Sequence, residues 1–294
     1  MCGIAAIVGA GREAWLAERV RTMTNALEHR GPNAEGHYVD ARAGVAFGHR
    51  RLSIIDLSES ANQPMFSNDG NLVLIANCEI YNFRELRKEL QSAGHHFQSE
   101  SDSEVILYAY KQWGEGCVEH LFGMFAFLVY DKSNGIIFGA RDRIGEKPLN
   151  IFSMGDHLYM ASETKAFKAL EGWNAPRVDP VGVFAHFSTS GITAPFSIYA
   201  DVTKLGPAEC FSIKLGGKLS LEAVRRRTYW YPRFDRKHSK TDTDWIAEGD
   251  ALFRTIVDQE MVSDVPIGIL LSGGVDSSLL AACAQKEGQH TNSL

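Results

Sequence analysis

Cys2 follows the initiator methionine in MCGIAAIVG. Once Met1 is removed, a thiol and a free α-amine would share one carbon. An α-amine titrates at about 7.7–8.0, close to working pH, so it can take the thiol's proton without a histidine. A second cluster, SGGVDSS at 272–278, places two glycines and several hydroxyls between an apolar run and a helical pattern. Backbone N–H groups and a positive helix end in such a turn suit an anion. The stretch lacks the GK[ST] ending of a Walker loop, so no lysine reaches for a γ-phosphate. A cysteine can follow Met1 by chance, and a serine-capped turn needs no ligand. Taken singly, the two stretches leave both readings open.

Periodicity shows the elements that must hold these residues. The run 4–8 reads as a buried strand stopped by Gly9, and Leu16, Val20, Met23 and Leu27 mark an amphipathic helix over 13–29. GVAFGHRRLSII and NLVLIANCEI read as strands, the second running into a helix capped by Asn82. Ser101, Asp102 and Ser103 open another helix. MFAFLVYD and IIFGARD form a hairpin around Asn134-Gly135, LNIFSM and HLYMAS repeat that pattern, and ETKAFKAL is helical. Further on come a helix after Pro180, a hairpin around Gly216-Gly217 and a charged linker within 225–244. A helix over about 245–262 then leads into a strand, glycine turn and helix carrying 272–278.

Composition narrows the class. The 294 residues are 45% hydrophobic and 22% charged, ordinary globular usage with no sign of disorder. A net charge of −6 gives no footing for a nucleic-acid or membrane partner. Five scattered cysteines with no CxxC spacing argue against a disulfide framework or a zinc site, and for a reducing compartment. Arg12 and Glu13 come too early for a signal peptide, and no apolar run approaches the roughly 18–20 residues that span a bilayer. A soluble, cytoplasmic protein is the expectation, with no metal ligands.

The 272–278 loop resembles the pyrophosphate loop of ATP pyrophosphatases. That resemblance implies that Ser272, Gly273, Gly274, Asp276, Ser277 and Ser278 surround the phosphates, with Leu271 beside the nucleotide. MCGI, HRGP (29–32), RRLSI (50–54), NCEIYNF (77–83), SDSEVIL (101–107), GMFAF (123–127) and DRIGEKPL (142–149) occur in this order. Together they resemble the glutamine-hydrolysing asparagine synthetases, whose amino half is a class II glutamine amidotransferase domain. The resemblance implies an α+β fold: an αββα sandwich of the N-terminal-nucleophile hydrolase type over 1–205. A linker and an incomplete α/β adenine-nucleotide-binding domain would fill 206–294.

It also implies roles. Cys2 attacks the amide of glutamine, while the side chain of Asn77 and the backbone N–H of Cys78 hold the oxyanion. Arg51 takes the substrate carboxylate through two parallel hydrogen bonds, with backbone from Leu52, Ser53, Ile54 and Ile55. Asp102 takes the ammonium, with Glu79 nearby. In the family, ATP and Mg²⁺ activate aspartate as β-aspartyl-AMP, and ammonia then displaces AMP to give asparagine. Glutamine, aspartate and ATP are therefore the implied partners, with a homodimer as one possible assembly.

Three departures bear on this. Cys78 stands where the family has glycine; if that position needs φ > 0, a side chain there costs about 1–2 kcal/mol. On that reading Cys78→Gly raises hydrolysis at least tenfold, and a Cys2–Cys78 disulfide offers a second route to an idle site. Asn33 replaces an aspartate in RGPN, removing a charge near the nucleophile. The sequence stops 16 residues after Ser278, so only the glutaminase half is expected to act. Two alternatives stay open: a related amidotransferase acting on a polysaccharide or sugar acid, and a catalytically impaired glutamine-binding fragment.

Overall fold

The computed structural model describes residues 1–173, 177–217, 219–234 and 239–287. In chain order the first part holds β1 (Gly3–Val8), α1 (Glu13–Asn25), β2 (Ala34–Asp40), β3 (Val45–Arg51), β4 (Met65–Phe66) and β5 (Leu72–Ile80). Then come α2 (Phe83–Ser92), α3 (Glu104–Trp113), β6 (Gly123–Asp131), β7 (Ile136–Arg141), β8 (Asn150–Met154), β9 (His157–Ala161) and α4 (Lys165–Lys168). The series ends with α5 (Pro180–Thr189), β10 (Val202–Lys204), β11 (Glu209–Lys214), β12 (Arg225–Thr228), α6 (Asp242–Glu260) and α7 (Val275–Glu287).

The strands form two six-stranded sheets, ordered β10-β8-β9-β1-β3-β2 and β12-β11-β7-β6-β5-β4. Every pairing is antiparallel. Because side chains alternate along a strand, each sheet has two faces to cover. Ile4, Ala6, Val8 and Phe47 of the first sheet share one core with Val73, Ile75, Leu128 and Phe211 of the second. On the first sheet's other face, Ala5 and Ile7 meet Leu16, Val20 and Met23 of α1 and Phe167 of α4. On the second sheet's outer face, Tyr110 of α3 lies 5.4 Å from Phe138, ring centroid to centroid. The order is therefore helix, sheet, sheet, helix. With both faces covered, β1 and residues 72–76 of β5 appear as unbroken apolar runs rather than alternating ones.

Three local expectations are corrected. The helix expected over 13–29 ends at Asn25, and Glu28–Arg30 form a 3₁₀ turn that brings Arg30 inside. Asn82 precedes α2 without capping it; its amide instead donates to His120 O at 3.0 Å and accepts from Phe122 N at 2.9 Å. The apolar run 265–271 forms no strand. A strand needs a neighbour for its N–H and C=O groups, and none lies beside it among the described residues.

The chain divides into two compact units: 1–53 with 58–231, and 54–57 with 232–294. The first takes in β11 and β12, beyond residue 205, because they complete the edge of the second sheet. In the second, Val257, Cys283 and Ala284 form a small core with Phe253, Met261 and Ile269. Its segment 54–57 is tied by Asp264 N donating to Ile54 O at 3.0 Å and by Asp56 N donating to Asp264 Oδ2 at 2.6 Å. No helix among the described residues is long and apolar enough to cross a membrane.

Candidate active site

Cys2 stands at the start of β1, at one end of the sandwich. Its thiol donates toward Leu52 O at 3.7 Å, and its sulfur accepts from Leu52 N at 3.4 Å. Arg30 fixes the backbone: Nε donates to Cys2 O at 2.9 Å, and Nη1 pairs with Glu163 Oε1 at 2.7 Å. His29 Nε2 meets the same carboxylate at 3.0 Å. Ser162 adds a second tie, its Oγ accepting from Ile4 N at 3.0 Å. HRGP reads as a motif without an evident role, and nothing local to it points to Glu163, 133 residues on. Burial pushes the Cys2 thiol up, and the Leu52 N–H counters by favouring the thiolate. Partial burial lowers the α-amine of Met1 against the opposing Cys2 charge, and the charges of Lys147 and Arg30 lower it further.

β5 supplies the next three residues. Alternation sends Asn77 and Glu79 toward the layer between the sheets and Cys78 toward the helices. Asn77 is 1% exposed, and its Nδ2 has no hydrogen-bond partner. Such an orphaned donor is costly to bury, by about 1–3 kcal/mol, and is available to an oxyanion. Along the edge of β5 facing away from β6, Ala76 N donates to Gln63 Oε1 at 2.5 Å and Ile80 N to Asp102 Oδ2 at 2.8 Å. The N–H of Cys78 falls between them by the same alternation. His49 Nε2 lies 3.0 Å from Ala76 O and must carry the hydrogen, since a carbonyl only accepts. Burial lowers this imidazole to about 4, so it stays neutral and ties β3 to β5.

Cys78 is not strained. Among the described non-glycine residues only Asp56, Ser190 and Ala208 have positive φ, and Cys78 lies inside an extended strand paired with Phe125. This removes the basis for a backbone penalty. The cysteine thiol instead lies 3.3 Å from Ser103 Oγ and 3.8 Å from Asp102 Oδ2, and burial with the Asp102 charge pushes it well up. All five cysteines are free. Cys78→Gly therefore removes only weak S–H contacts, worth about 0.5–1 kcal/mol, and is expected to change glutamine hydrolysis by less than about fivefold. Steady-state rates of the variant check this; a rise of tenfold or more would mean that the side chain displaces the N–H after all.

Two acids share the site. Asp102 is fully buried, its carboxyl raised by desolvation against the pull of Ile80 N–H and Ser103 N–H. Burial and the Asp102 charge push Glu79 up to about 7, while Lys147 and the amino terminus draw it down. Arg51, also buried, donates from Nη1 to Ser58 O at 2.8 Å and to Asn62 Oδ1 at 2.9 Å. Asn33 Oδ1 accepts from Ser53 N at 3.1 Å, a contact open to an amide oxygen as well as to a carboxylate. Leu52 and Ser53 belong to the first unit, while Ile54 and Ile55 belong to the segment grouped with the second.

In that second unit, Gly273 has φ +81° with nothing near the position of a Cβ, and α7 begins at Val275. Ser272 Oγ lies 3.0 Å from Ser277 Oγ, and Ser278 N donates to Gly274 O at 3.1 Å. Leu271 is 60% exposed, and Asp276 sits in the first helical turn.

A family profile described as a glutamine amidotransferase domain matches residues 1–230, and one described as asparagine synthase matches 248–293. Asparagine synthetase [glutamine-hydrolyzing] 1 of Bacillus subtilis is 35% identical over 291 residues, covering 97% of this chain and 44% of the relative. Its synthetase 3 is 36% identical over 308 residues (100% and 48%), and that of Sandersonia aurantiaca 33% over 285 (96% and 46%). The chain thus spans about half the length of the curated relatives it matches. Among solved structures, the glutamine phosphoribosylpyrophosphate amidotransferase of Bacillus subtilis, complexed with ADP and GMP, aligns at TM-score 0.55 and 19% identity, covering 97% of this chain and 64% of that one. A structure described as the allosteric regulatory enzyme of purine biosynthesis aligns at TM-score 0.56 and 20% identity, with 100% and 64% covered. At such identities the likeness is one of fold.

Proposed function

The chain belongs to the glutamine amidotransferase domain family, and from that membership and its site we propose that Cys2 hydrolyses glutamine to glutamate and ammonia. The observation that carries this reading is the company Cys2 keeps. A buried carboxylate, a half-buried one and a buried arginine can hold the two charged ends of an amino acid, and the unpartnered Asn77 Nδ2 can receive an oxyanion. The domain would act as an N-terminal-nucleophile hydrolase in the cytoplasm, where five free cysteines stay reduced.

In this mechanism Met1 is cleaved, because as long as it remains it acylates the nitrogen of Cys2. The freed amine takes the thiol proton, and the thiolate attacks the side-chain amide carbon. Asn77 Nδ2 and the Cys78 N–H hold the negative oxygen. The amine returns its proton to the leaving nitrogen, ammonia departs, and water hydrolyses the thioester. Arg51 holds the substrate carboxylate, and Glu79 and Asp102 its ammonium. The 272–278 loop would bind the phosphates of ATP, with Mg²⁺ carried in on them. The ammonia would amidate an aspartate activated as β-aspartyl-AMP, as the names of the relatives suggest.

The test is glutamate release from glutamine by the full chain, with loss of Met1 confirmed by mass spectrometry. Glu79 holds an ammonium only when ionised, so KM is expected to fall as pH rises through about 7. A KM that is flat from about pH 6 to 8 would remove Glu79 from the binding set. A processed chain that releases no glutamate would overturn the assignment.

A further inference from the structure

Lys147 is a buried cation to which neither motif nor mechanism assigns work. It is 4% exposed, and among the described residues its Nζ has neither a hydrogen bond nor an ion pair. Its place is built rather than incidental. Asp142 winds the loop after β7 around its carboxylate, with Oδ1 accepting from Ile144, Gly145 and Glu146 N–H. Oδ2 accepts from Lys147 N at 2.9 Å and from Phe125 N at 3.3 Å. Phe125 is the cross-strand partner of Cys78. One carboxylate thus pins the backbone of Lys147 beside the end of β5 that carries Asn77, Cys78 and Glu79. Arg141 Nε closes the loop by donating to Lys147 O at 2.7 Å.

We propose that Lys147 is a positioning residue of the glutaminase site, its ammonium setting which neighbouring groups carry charge. The proposal rests on the glutaminase reading of Cys2. A cation on a side chain taken largely out of water, without a contact partner, is costly unless opposite charge lies within reach. The positive charge of Lys147 draws Glu79 down against the Asp102 charge and lowers the amino terminus, as Arg30 also does. Two carboxylates in one partly buried site favour protonation of one of them; the Lys147 charge opposes that at Glu79. The same positive charge disfavours protonation of the amine. The reaction needs both outcomes: an ionised Glu79 to hold the substrate ammonium and a neutral amine to take the thiol proton.

The test uses the full chain with Lys147→Met, Lys147→Gln and Lys147→Arg. One readout is kcat/KM for glutamine against pH. The other needs no turnover: acetylation of the α-amine against pH, read by mass spectrometry of the amino-terminal peptide. In the Met and Gln variants both half-points are expected to move up by about one pH unit, a tenfold loss near about pH 6.5 that recovers at alkaline pH. Lys147→Arg restores the wild-type profiles. Unmoved half-points, or a loss equal at every pH, would overturn the role. If the wild-type chain releases no glutamate but the acetylation half-point still moves, the glutaminase reading fails and the charge-setting role stands. Normal glutamate release with both half-points unmoved gives the reverse.

Discussion

Cys2→Ser is expected to lower glutamate release by about 10⁴-fold or more while glutamine still binds. The substitution changes one atom. Leu52 N–H, 3.4 Å from the sulfur, can donate to a hydroxyl as well, and Arg30 still holds the backbone carbonyl. Acidity is what changes. A thiol lies close enough to an α-amine in proton affinity for direct transfer, even when burial pushes it up. A hydroxyl lies far above, so the amine leaves it protonated and the nucleophile is absent. Glutamate release by the purified variant, beside glutamine binding by calorimetry, separates loss of chemistry from loss of the pocket. Undiminished release would place the hydrolysis elsewhere in the protein, whereas loss of binding as well would assign Cys2 a packing role.

The parts of this site that the sequence displays are those whose information is local. β1 and residues 72–76 of β5 are continuous apolar stretches, and the residues proposed to bear on glutamine lie in or beside short recognisable strings. What escapes is long-range. The Arg30–Glu163 pair that anchors Cys2 O joins residues far apart in the chain, and periodicity carries no trace of it. Lys147 lies within a recognised motif, yet its work depends on a loop wound about Asp142 and on a strand pairing with Phe125. Cys78 shows the opposite failure. Comparison with a glycine suggested strain, but the extended strand puts the side chain against Ser103 and Asp102 without any. The run 265–271 has the composition of a buried strand and forms none, because pairing depends on a neighbour as well as on propensity.

Asn77→Ala is expected to cut kcat by about 10²–10³-fold with KM little changed. Asn77 Nδ2 has no hydrogen-bond partner among the described residues, so in the proposed mechanism its hydrogen bond forms only when negative charge develops on the substrate oxygen. An interaction made only at that stage acts on kcat. Stability supplies the independent check. Burying an unpaired amide costs about 1–3 kcal/mol, and the alanine relieves that cost while opening a small void. The two effects oppose each other, so the unfolding midpoint should stay near that of wild type, as a group kept for chemistry rather than for folding allows. A large drop in the midpoint would mean that Asn77 packs the end of β5. An unchanged kcat would leave the oxyanion to the Cys78 N–H alone.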